Sequence, residues 1–161
     1  MNVQILSGKE GIKMKKVMIL ALVLIIPALL LAGCGAKNEP AAVKIAGVSS
    51  AERAAGMLTE AYKVKENVKF STEIADSEQA LDSLKSGKAD IALIDRGLTD
   101  EEKASGLSET AFASLKDSAE NVIYIIAPQD IGEAAAGFRD YILSPDVSDI
   151  LSSAGLVPAG N

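Results

Sequence analysis

Past residue 42 the hydrophobic positions change period again and again. Residues 43–48 form a β-rich segment closed by Ser49-Ser50, after which Ala51, Ala54, Ala55, Leu58, Ala61 and Tyr62 recur along one helical face. Residues 68–74 alternate at period two, and Asp76 then opens a second helix that runs through Leu81 and Leu84 to Ser86-Gly87. Residues 89–94 are short, mostly apolar and bounded by Gly87 and Gly97, as in a central strand covered on both faces. Thr99-Asp100-Glu101-Glu102 has the spacing of a capping box, so a short third helix is expected, with strands over residues 111–115 and 121–127. Ile131, Ala134, Ala135, Phe138 and Ile142 mark an amphipathic helix, and beyond Ser144-Pro145 a last helix is predicted to about Ser153. Strand and helix alternate throughout. The prediction is an α/β fold, a three-layer single lobe whose mostly parallel sheet carries helices on both faces.

The chain before residue 43 has a different character. Lys15 and Lys16 precede an almost unbroken apolar run over residues 17–30, and Leu31-Ala32-Gly33-Cys34 closes it with small residues ahead of a cysteine. The run is short for a hydrocarbon core about 30 Å thick, and Pro27 interrupts it, so it reads as a leader rather than a membrane span. It resembles a bacterial lipoprotein signal peptide. That resemblance implies that Cys34 becomes the lipidated N-terminus of the mature chain at the extracytoplasmic face of the cell membrane, where more than one acyl chain makes anchoring stable. The expected division is a signal peptide over 14–33, the lipidated cysteine and a tether over 34–42, and one folded domain over 43–161. Residues 1–13 precede an already complete signal, so translation is expected to start at Met14.

Composition narrows the chemistry. The chain has 16 basic and 22 acidic residues, a net charge of −6; four of the basic and one of the acidic lie in residues 1–33, which leaves 12 against 21 beyond them. A domain this acidic lacks the basic stripe that nucleic acid requires. The absence of histidine removes Ser-His-Asp and Cys-His nucleophile arrangements and imidazole metal ligands together. No Ser is followed three positions later by Lys, and Gly87-Lys88 is followed by Ala89 rather than the hydroxyl residue of a phosphate loop. One cysteine makes no internal disulfide. No enzymatic activity, cofactor or metal is expected.

In an open α/β sheet, ligands collect beyond the C-terminal ends of the strands, where helix N-termini present unpaired N–H groups. Three polar clusters fall on that edge: Ser49 and Ser50 after the first strand, Asp76-Ser77 after the second, and Asp95-Arg96 after the third. Hydroxyls, amides and a guanidinium together suit an oxyanion. Each cluster also has an ordinary role. Ser49 with Glu52 and Asp76 with Gln79 have capping-box spacing, and a lone surface Arg is more often solvated or ion-paired. Convergence of the three is what would distinguish a site from three caps.

The order of these motifs resembles the substrate-binding protein of the high-affinity phosphate ABC transporter, a type II periplasmic-binding-protein fold. Val43-Lys44-Ile45-Ala46-Gly47-Val48-Ser49-Ser50 is similar to that family's first strand and Gly-Ser-Ser/Thr loop, and Ser77 falls where its phosphate loop begins. Gly87-Lys88-Ala89-Asp90-Ile91-Ala92 resembles its Gly-x-x-Asp-Ile segment, followed by Asp95-Arg96 where many members have Ser-Arg. Gly137-Phe138-Arg139-Asp140-Tyr141-Ile142-Leu143-Ser144-Pro145 resembles its closing helices. The resemblance implies an extracytoplasmic solute-binding role with Ser49, Ser50, Ser77, Asp95 and Arg96 as ligands to phosphate or a similar oxyanion. The departures are specific. Most of the family's second lobe is missing, Glu78 stands where its phosphate loop carries Gly, and Glu52, Asp76, Glu78 and Asp95 make the expected mouth negative.

Two readings stay open. One is a membrane-tethered solute-binding module that completes its cleft with a second copy or a transporter subunit. The other is a ligand-free interaction or regulatory lipoprotein that retains the fold only.

Overall fold

The computed structural model describes residues 40–159, so the lipidation position Cys34, the signal segment 14–33 and residues 1–13 lie outside the described residues. The first strand, β1, spans Ala41–Gly47 and leads into helix α1, Ser49–Lys65. The tether expected over 34–42 therefore ends sooner, because Ala41 and Ala42 already pair with Val68 and Lys69 of β2, Val68–Ile74. Helix α2, Ser77–Lys85, and strand β3, Ile91–Ile94, complete the third unit. Between them Gly87 sits at φ 71°, a left-handed turn just past the helix that a side chain would strain.

Beyond β3 every further pairing in the sheet is antiparallel. After the short helix α3, Asp100–Ala104, strands β4, Leu107–Leu115, and β5, Ser118–Pro128, form a hairpin. Helix α4, Glu133–Ile142, a 3-10 turn over Pro145–Val147, helix α5, Ser148–Ser153, and strand β6, Leu156–Pro158, close the chain. The sheet order is β2-β1-β3-β5-β4-β6. β1 is parallel to both neighbours, whereas β3–β5, β5–β4 and β4–β6 are antiparallel. The sheet is thus mixed within the expected α/β fold, with β1, β2, β3 and β4 running one way and β5 and β6 the other. Only Lys116 and Asp117 separate β4 from β5, too few for the crossover of a dozen or more residues that a parallel pair needs.

Helices do cover both faces. On one, Val43, Ile45, Ile91, Leu93, Ile123 and Ile125 pack under α1, α4 and α5; on the other, Ala46, Ala92, Ile94 and Ile126 pack under Ala80, Leu81 and Leu84 of α2. All four β3 side chains are buried, alternately in the two clusters. This explains why the segment reads as a continuous apolar run instead of an alternating one.

Candidate functional site

A concavity of about 750 Å3 opens beyond the C-terminal ends of β1, β2 and β3, lined by Val48, Ser49, Asp76, Ser77, Glu78, Asp95 and Arg96 among others. Four of the five residues expected to bind an oxyanion, Ser49, Ser77, Asp95 and Arg96, meet there. Ser50 does not line it. It is one position further along α1, about 100° around the helix, and lies exposed on the surface.

The helix N-termini resolve two of the capping expectations differently. Val48, not Ser49, is the N-cap of α1, and no side chain caps that end, so the Ser49/Glu52 box does not form. Val48 and Ser49 at the start of this 17-residue helix line the concavity, and no side chain caps that end. Asp76 is the N-cap of α2 and accepts from the Gln79 backbone N–H at 2.8 Å. It serves its own helix, as the ordinary reading held.

Ser77 and Asp95 form a reciprocal clasp. The Ser77 hydroxyl donates to Asp95 Oδ1 at 2.6 Å, and the Asp95 backbone N–H donates back to Ser77 Oγ at 3.2 Å. The only proton of Ser77 is therefore committed to the carboxylate, and the clasp holds the β2–α2 loop against the end of β3.

Arg96 is held from behind. Its Nη1 and Nη2 donate to the two carboxylate oxygens of Glu102, both at 2.9 Å, and Nη1 also donates to the Gly97 carbonyl at 3.0 Å. Of its five donors, Nε–H and one Nη2–H remain without a partner among the described residues. Glu102 does a second job. With Thr99 it completes the capping box of α3, accepting the Thr99 backbone N–H at 2.8 Å, and Lys85 Nζ stands 3.7 Å away. The hydrogen bonds from Arg96 above all, then that from Thr99, hold its carboxyl down at about 2. The sign follows: the folded value lies below the unfolded one, so this contribution is complete above the ordinary carboxylate range and fades as pH falls toward 2. A carbon-detected NMR titration of Glu102 should show it ionised down to about pH 2; a midpoint near 4.5 would mean that the pair does not form in solution.

The charge of the lining is unfavourable for a dianion, with Asp76, Glu78 and Asp95 against one guanidinium that already faces a carboxylate. Glu52 lies in an adjoining groove instead. Two features escaped the sequence. Val48 offers no capping group to look for, and nothing six positions before Glu102 marks Arg96 as its partner, since the Thr99 box accounts for that glutamate by itself.

A family model described as a PBP superfamily domain matches residues 35–117. No curated protein matches the sequence. Among solved structures, the chain is similar to a candidate phosphate ABC transporter substrate-binding protein from Clostridium perfringens with bound phosphate, at TM-score 0.64 and 14% identity over 74% of this chain and 100% of that one. It is also similar to PstS from Borrelia burgdorferi, at TM-score 0.64 and 12% identity over 75% and 100%. The substrate-binding domain of a candidate molybdenum ABC transporter from Clostridium difficile follows at TM-score 0.55 and 10% identity over 74% and 100%. At such identities the likeness is one of fold.

Proposed function

The chain belongs to the PBP superfamily, and from that premise we propose that it is an extracytoplasmic solute-binding lipoprotein, anchored through Cys34, that takes phosphate or a similar oxyanion for an ABC-type transporter. The observation that carries this reading is the concavity itself, which Val48 and Ser49 at the side-chain-uncapped start of α1 line together with Ser77, Asp95 and Arg96. The anchor rests on the pattern of residues 14–34.

The residues present favour a protonated anion. Asp95 keeps acceptor capacity beyond its bond from Ser77 and accepts a hydrogen bond from the P–O–H that hydrogen phosphate has and sulfate lacks at neutral pH. Asp76 and Glu78 work against binding, and an open lobe leaves each hydrogen bond competing with water. The expected dissociation constant is on the order of 1 mM. Titration calorimetry of residues 35–161 should show saturable phosphate binding, weaker binding of sulfate, and loss of the signal in Arg96→Ala. No heat at concentrations well above that range would end the oxyanion reading.

One observation favours the second reading, a ligand-free interaction lipoprotein. The bidentate Arg96–Glu102 pair already supplies the carboxylate fork that a guanidinium seeks in a ligand, so the pocket cation is partly satisfied from within.

A further inference from the structure

The two edges of the sheet are not alike. β6 is three residues long and ends at Pro158, a blunted edge. β2 has seven residues, no Pro or Gly, and an unbroken register with β1. No other strand pairs with its outer side among the described residues. Lys69, Ser71, Thr72, Glu73 and Ile74 are all exposed, Ile74 to 42%.

The direction of the free main-chain groups follows from one bond. The Ala75 backbone N–H donates to the Gly47 carbonyl at 2.9 Å, so in this parallel ladder residues 69, 71 and 73 turn their main chain toward β1, and Phe70, Thr72 and Ile74 turn theirs outward. An added antiparallel strand must bond to that even-numbered set.

We propose that this added strand is β2 of a second copy, joined about a two-fold axis through Ser71 so that the two six-stranded sheets become one. In that register Phe70 and Thr72 exchange main-chain hydrogen bonds with Thr72 and Phe70 of the second copy. Lys69 lies opposite Glu73 of the second copy, and Glu73 opposite its Lys69, in the non-hydrogen-bonded pairs where side chains approach most closely. Val68 and Ile74 meet on the α1 side, covering the apolar side chain that is otherwise left in water. The register is selective. Moving the axis by one residue either way puts Lys69 opposite Ser71 or Ala75, and both ion pairs vanish. Because the pairing is antiparallel, the two concavities open at opposite ends of the joined sheet, so the second copy does not close the cleft of the first. The proposal is independent of whether an anion binds.

The full-length chain in bacterial membranes tests it. Residue 71 faces its own copy across a pair whose Cα atoms stand about 4.5 Å apart, within disulfide range. Ser71→Cys should therefore give a disulfide-linked dimer on mild oxidation, several-fold above Ser152→Cys on exposed α5. In mild detergent, Lys69→Glu should weaken the dimer about tenfold or more by opposing like charges, and the double variant Lys69→Glu/Glu73→Lys should restore it. Equal crosslinking at 71 and 152, or a dimer that ignores the charge reversal, would overturn the proposal; a chain monomeric at every concentration would do so as well.

Discussion

Glu102→Ala should tighten phosphate binding about tenfold while lowering the stability of the domain by about 1–2 kcal/mol. The two effects have one source. Glu102 holds both Arg96 Nη atoms at 2.9 Å and accepts the Thr99 backbone N–H. Removing it dissolves the capping box of α3 and releases a guanidinium that lines the concavity, while one negative charge leaves its surroundings. At an effective dielectric of about 20, a charge a few ångströms away is worth more than 1 kcal/mol, which sets the tenfold scale. Calorimetry and urea denaturation of the same protein measure both sides. Weaker binding in Glu102→Ala would mean that the carboxylate works as a support that orients Arg96, and that its neutralising effect is the smaller one.

Phe138→Ala should destabilise the domain by about 3–5 kcal/mol, a large share of the 5–15 kcal/mol that ordinary domains possess. Phe138 is 1% exposed, with its ring 4.7 Å from Phe70 and 5.4 Å from Tyr62, centroid to centroid. It joins α4 to α1 and to the edge strand β2. Few aromatics are available to close the gap, since the chain holds only three Phe, three Tyr and no Trp. The urea midpoint should fall sharply at unchanged m, and a loss below about 1 kcal/mol would show that α4 is not seated as described.

The parallel half of the fold was legible because each element carried its own local signal. The alternation of residues 68–74 reproduces β2 residue for residue, Asp76 caps α2, and Thr99 with Glu102 caps α3. Strand direction carries no such signal. A buried run such as residues 122–127 looks the same whichever way its neighbours point, and the Lys116-Asp117 turn lacks the Asn-Gly or Asp-Gly pair that announces a hairpin. β6 was hidden for a related reason, being three residues long and made a strand by what it meets in β4. At the site, strand ends predicted that Ser49, Ser77, Asp95 and Arg96 would meet. Which group would take Arg96 depends on how α3 folds back, and that is tertiary information.

The chain enters the sheet at Ala41, on a strand flanked by β2 over its whole length and by β3 over its last three residues. Tension arriving along β1 from its N-terminal side therefore loads the ladder in shear, many hydrogen bonds at once, where an edge strand would be peeled off bond by bond. Held from that end, the domain would be pulled along a paired strand rather than unzipped from an edge.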